Sequence, residues 1–274
     1  MNSLKYLKEM FCENAMSFKQ IDDKTRVLLA LVVLFNVVFI ILNAKKVFYS
    51  QHFISPKTIP ILYSIISASA FIYILKNNLY KTFDFSINRL KRAFVFGNIT
   101  YYLCFFVLWI YNVFMSFFHT KLGGDVQGLR QLTKIDIWQY SAIVIKYVFS
   151  LLNEELFLVA VFFIALSLFN KVSVKNVIFS TFISLTFFAL LHMFAWNYAT
   201  VPSVLINKLP AVFLFIFFMD IKPLYFAHLF NNCWVSLVML NGMTGQLKSL
   251  IFVLFGLPMI IYLADRAIKY ENET

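Results

Sequence analysis

The sequence predicts an all-α, polytopic membrane protein of about eight transmembrane helices, with both termini in the cytoplasm. Three observations carry this. Of 274 residues, 61% are hydrophobic and only 14% charged, against roughly 25% charged in soluble domains. The apolar residues run in long blocks, and stretches of about 18 residues or more read as spanning helices. Seven Gly and six Pro leave little material for loops or disorder, while 34 Phe and 14 Tyr exceed what a soluble core of this length can hide. A water-soluble globule, a coiled coil, a fibre and a disulfide scaffold are excluded.

Residues 1–26 carry mixed charge and read as a cytoplasmic or interfacial segment, with Met10, Phe11, Met16 and Phe18 giving it some apolar surface. A single membrane domain, 27–264, follows. Its spans are expected at 27–42, 59–75, 93–117, 137–169, 177–196, 204–219, 223–240 and 247–263. The second and third are joined by a basic loop holding Lys76, Lys81, Arg89, Lys91 and Arg92. The fourth would reach about 50 Å as one helix, beyond a hydrocarbon core of about 30 Å, so it must tilt, break or protrude. A cytoplasmic tail, 265–274, closes the chain. There is no Gly-, Ser- or Pro-rich linker and no internal repeat.

The basic residues orient the chain. With the N-terminus inside, the inner segments hold fifteen Lys and Arg and the outer loops eight, counting Lys208 and Lys248 with outer loops. That excess follows the positive-inside rule. The net charge of +11 would suggest nucleic acid in a soluble protein. Here it fits contact with anionic membrane lipids, and no nucleic-acid partner is expected. Heavy use of Lys, Phe, Ile and Asn points to the cell membrane of a bacterium with an AT-rich genome. Cys12, Cys104 and Cys233 lack metal spacing and read as ordinary buried thiols. Charged residues near the start, such as Glu9 and Glu13, do not fit a signal peptide.

Ionisable groups at membrane depth are costly, so each is a functional candidate by default. Glu154 and Glu155 sit side by side within an apolar run. Mutual repulsion and desolvation favour a proton on one of them, as general acid–base work requires; the alternative is a pair at a helix end in the headgroup layer. His192 lies late in the fifth span, where it is either catalytic or a hydrogen-bonded packing residue. His228 and Asn232, four apart, share one helical face. They can donate to one substrate oxygen or clamp two helices together. On three separate helices, these five residues make a plausible water-activating site. Zinc held by two His and a Glu is the alternative, although the HExxH spacing is missing. No GxSxG supports a serine nucleophile.

In order, Glu154-Glu155, Phe188-x-x-x-His192 and His228-x-x-x-Asn232 resemble the motifs EExxxR, FxxxH and HxxxN of the CPBP family. These are the CAAX proteases and bacteriocin-processing enzymes, also called Abi. The resemblance covers about residues 150–240. It departs at position 159, where Val stands in place of the motif's Arg. It implies a metal-independent glutamic intramembrane protease with no cofactor. Glu154 would be the general base, Glu155 its support, and His192 would hold and polarise water. His228 and Asn232 would form the oxyanion hole. The implied substrate is a membrane-associated peptide, bacteriocin leader or lipoprotein segment. A non-proteolytic immunity or regulatory role with a membrane-protein partner is the alternative, as is acyl transfer at the same site. An Arg at position 159 is expected to reach the glutamate pair one turn back. The two His meet only if the fifth helix runs past His192 toward Tyr198 and the seventh begins within or before 221–223.

Overall fold

The computed structural model describes residues 3–44, 59–79, 85–117, 135–195 and 200–238, and scattered positions between 240 and 265. Among the described residues 87% are helical and none belongs to a strand. The helices are α1 (Ser3–Met16), α2 (Asp23–Ala44), α3 (Ile59–Leu75), α4 (Ile87–Phe117), α5 (Ile137–Ser167), α6 (Val174–Ala195), α7 (Thr200–Phe218) and α8 (Lys222–Val238). By length and composition five of them, α2 and α4 to α7, can cross a membrane. The expected eighth span falls mostly outside the described residues, as do His52 and His119.

α3 has the bounds that its apolar run predicts. α4 begins earlier than expected, so Arg89, Lys91 and Arg92 form its first turns rather than a loop. Lys and Arg are good helix formers, and their long stems carry the charge outward while the backbone stays helical. α5 runs unbroken from a capping box, in which Gln139 N–H donates to Asp136 Oδ1 at 2.8 Å and Asp136 N–H donates to Gln139 Oε1 at 3.1 Å. It does not break, and it is unevenly covered: Trp138 is 81% exposed, whereas every residue from Glu155 to Phe163 is buried.

α5 packs against α2, α3, α6 and α8, while α4 lies against α7 and α8. Polar clamps stitch these helices together. Asn36 Nδ2 donates to Ser67 Oγ at 2.7 Å, and Asn153 Nδ2 donates to Asn36 Oδ1 at 3.1 Å, joining α2, α3 and α5. The Tyr225 hydroxyl donates to the Val148 carbonyl at 3.0 Å, tying α8 to α5. Such bonds matter where hydrocarbon offers no other partner.

The N-terminal segment does more than lie at an interface. Phe18 enters the core, its ring 5.1 Å from Phe162 and 5.8 Å from Phe215. Asn14 Nδ2 donates to the Phe217 carbonyl at 2.7 Å, and Gln20 Nε2 donates to the Phe169 carbonyl at 2.5 Å. The carbonyls at and just beyond the ends of α7 and α5, which lack intrahelical donors, are thus satisfied by residues from the start of the chain. Met219, just past α7, has a positive φ of 51°, and its N–H donates to the Phe215 carbonyl at 2.7 Å, closing that helix before α8 begins.

α4 and α8 lie close together at Gly97. A Cβ there would stand 2.4 Å from Phe226 Cβ and 3.0 Å from the Pro223 carbonyl oxygen. Only a residue without a side chain lets α8 lie this near α4, and α8 carries His228. Gly97→Ala should therefore force the helices apart and cost about 1–3 kcal/mol, as overpacking does. Thermal unfolding of the purified protein in detergent, beside the lipid-side control Ile110→Ala, reads that loss.

Candidate functional site

Four of the five residues singled out in the sequence line one cavity. Glu154 from α5, His192 from α6, and His228 and Asn232 from α8 surround about 150 Å³. That is ample room for water beside polar partners. The fifth, Glu155, is the next residue on α5 and turns away from the cavity. Adjacent residues point about 100° apart on a helix, so one carboxylate of the pair faces the cavity and the other enters the protein. The Glu154 side chain is 39% exposed and that of Glu155 is 0%.

Glu155 is held by two groups. His228 Nδ1–H donates to Glu155 Oε1 at 2.5 Å, and the Lys208 ammonium donates to the same oxygen. The Lys208 nitrogen is also 3.0 Å from His228 Nδ1. With Nδ1–H directed at Glu155, the Nε2 of His228 turns toward Glu154, 3.9 Å from its Oε2. The other oxygen of Glu155 has no hydrogen-bond partner among the described residues.

Lys208 was missed in the sequence, where it is assigned to an outer loop. It lies instead inside α7, with its side chain 11% exposed and its ammonium 5.3 Å from the Phe188 ring centre. The signal was available: a Lys within the apolar run 204–219 carries the same desolvation cost as the glutamates and has the opposite sign. Asn207 and Ser203, from the same helix, also line the cavity. Pro210 cannot donate to the Ile206 carbonyl, so α7 lacks one ladder bond beside these residues.

Position 159, from which an Arg is expected to reach the glutamate pair, does not line the cavity. Val159 is fully buried within the apolar core cluster of α5, as is Val161 at 7% exposure. A guanidinium at either position would enter packed hydrocarbon. The cation that Glu155 receives comes from α7, not from one turn further along α5.

The tautomer of His192 is set by its own helix. His192 Nδ1 lies 2.9 Å from the Phe188 carbonyl and donates to it, so Nε2 is left as an acceptor at the cavity. Asn231 Nδ2 donates to Asn232 Oδ1 at 3.2 Å. That bond occupies the oxygen of Asn232 and leaves its amide N–H groups for the cavity it lines. The depth condition on the two His is met on one side, since α8 begins at Lys222. α6 continues to Ala195, and Tyr198 lies outside the described residues. Among the described residues no three His, Cys, Asp or Glu side chains are grouped as a metal ion requires. The cation beside Glu155 is the Lys208 ammonium. Cys104 is buried and Cys233 half-buried, and neither is in a disulfide.

No protein-family model, no curated protein and no solved structure matches the chain.

Removing one partner of a buried ion pair strands the other charge, at about 3–5 kcal/mol. Lys208→Met should therefore lower the unfolding midpoint sharply. Glu155→Gln placed on top of Lys208→Met should recover most of the loss, because neither charge then remains. A double-mutant cycle read by thermal unfolding in detergent checks this; additive losses in the double variant would contradict the pairing.

Proposed function

We propose that the chain is an endopeptidase embedded in the cell membrane, with eight spans and both termini in the cytoplasm. It would hydrolyse a peptide bond of a membrane-associated peptide or lipoprotein through a water activated by Glu154. One observation carries this reading. Glu154, His192, His228 and Asn232, drawn from three helices, face one cavity with room for water, and the neighbouring carboxylate is neutralised behind them. The order of the motifs, which resembles that of the CPBP family, supports the same chemistry.

The division between the two glutamates is the basis of the mechanism. Glu155 stays ionised in its pair with Lys208 and receives Nδ1–H of His228. When His228 also carries a proton on Nε2, two carboxylates, one ammonium and one imidazolium sum to zero charge, which suits a site at membrane depth. Water is held between Glu154 and the acceptor Nε2 of His192. Glu154 takes a proton from that water, and the oxygen attacks the amide carbonyl. The developing oxyanion accepts from His228 Nε2–H and an Asn232 N–H. Collapse of the tetrahedral intermediate breaks the C–N bond, and Glu154 passes its proton to the leaving amine. The two donors and the acceptor are oriented before substrate arrives: His228 by Glu155, Asn232 by Asn231, and the acceptor His192 by the Phe188 carbonyl.

The test is hydrolysis by protein reconstituted in vesicles, with membrane-associated peptides as substrates and H₂¹⁸O as solvent. Mass spectrometry should find one ¹⁸O in each new carboxyl terminus. Glu154→Gln keeps the shape and removes the base, so the rate should fall at least 10²-fold. Cleavage or phenotype unchanged in Glu154→Gln would move the reading to a scaffold or immunity role on the same fold.

A further inference from the structure

We infer that Ser203 and Asn207, one turn apart on α7, bind the backbone amides of an extended peptide beside Glu154. This deepens the peptidase reading and rests on it. The two residues share a helical face and line the same cavity as Glu154 and His192. In that reading the base comes from α5, the water acceptor from α6 and the oxyanion donors from α8. Ser203 and Asn207 are therefore polar groups at the cavity to which the chemistry gives no task.

Both side chains lack a partner. Ser203 is 1% exposed, and its hydroxyl has no hydrogen bond among the described residues. A hydroxyl in an apolar helix ordinarily spends itself on the carbonyl four residues back. Ser64, Thr100, Ser141 and Thr181 all do so in this protein, at 2.6–2.9 Å. Ser203 does not, and a buried polar group left unpaired is costly. The Asn207 carboxamide likewise makes no hydrogen bond among the described residues.

Together the pair offers a hydroxyl, which both donates and accepts, and a carboxamide with two N–H donors and an acceptor oxygen. Neither group is charged, so both suit a neutral ligand that donates and accepts at once. A peptide unit does this. Its N–H donates to Asn207 Oδ1 or Ser203 Oγ, and its C=O accepts from Asn207 Nδ2–H. A lipid ester has carbonyl oxygens but no N–H, and leaves the acceptors of the pair unmet. A helical segment has its amides bonded within itself, so the substrate chain held by α7 is extended or unwound there. The grip is on the backbone, and it sets the scissile carbonyl against the α8 donors without reading a side chain.

The test is binding of N-acetylglycine N-methylamide, a blocked peptide without a side chain, to the purified full chain in detergent. Saturation-transfer NMR titration reads the affinity. Methyl acetoxyacetate has the same shape with both N–H groups replaced by oxygen. The wild type should bind the amide at least about tenfold more tightly than this diester. Asn207→Leu should lose most of that advantage, and Ser203→Ala should weaken the amide several-fold. Ser180→Ala should change nothing, because that unpartnered buried hydroxyl does not line the cavity. Equal binding of amide and diester by the wild type, or no binding of the amide, would overturn the inference without recourse to any variant. An advantage kept in full by Asn207→Leu would overturn it as well. The amide should still bind to Glu154→Gln, which separates this inference from the reading beneath it. Amide binding without hydrolysis of any membrane-associated peptide would sink the peptidase and leave the backbone site. Hydrolysis with KM unchanged in Asn207→Leu would sink the backbone site and leave the peptidase.

Discussion

A carboxylate with no exposed surface has to be neutralised where it sits, and the arrangement of this bundle follows from how Glu155 is served. Desolvating an isolated ion costs several kcal/mol even after relaxation. Lys208 from α7 and His228 from α8 both reach one oxygen of Glu155, so one side chain fixes the relative rotation of three helices. With Glu155 occupied, Glu154 is the member of the pair left at the cavity. Two identical residues thereby acquire different surroundings through the helical repeat alone.

Other features of the fold serve that convergence. α5 is buried on all sides along 155–163, so it cannot rotate to exchange the two glutamates without moving the core. Gly97 admits α8 against α4, which brings His228 and Asn232 to the cavity. The start of the chain locks the opposite end, with Phe18 wedged among Phe162, Phe163 and Phe215 and with Asn14 and Gln20 covering carbonyls at the ends of α7 and α5.

Much of this was legible in the sequence because hydropathy is a strong signal over long runs. Apolar length alone marks α2 to α8, and α3 has the predicted bounds. Glu154, His192, His228 and Asn232 stood out because polar groups in apolar runs are rare, and they line one cavity. What did not come through is direction. When nearly every residue of a helix is apolar, nothing in the pattern separates the lipid side from the protein side. Val159 therefore reads as sharing a polar face with Glu155, when it is packed in the core. Lys208 reads as a solvated loop charge because it lies near the expected end of a span, whereas α7 extends back to Thr200 and encloses it. The basic residues at the head of α4 read as a loop, since hydropathy reports where hydrocarbon ends and not where a helix does. The entry of Phe18 into the core is a long-range contact without local periodicity.

The site depends on an ionised Glu155 paired with Lys208 inside the bundle, and infrared difference spectroscopy reads that state directly. The spectrum of the wild type in lipid, minus that of Glu155→Gln, should lose carboxylate stretching bands and nothing in the carbonyl region of protonated acids. Loss of a protonated-acid carbonyl band instead would mean that Glu155 is neutral, and the charge balance from which the site is built would be wrong.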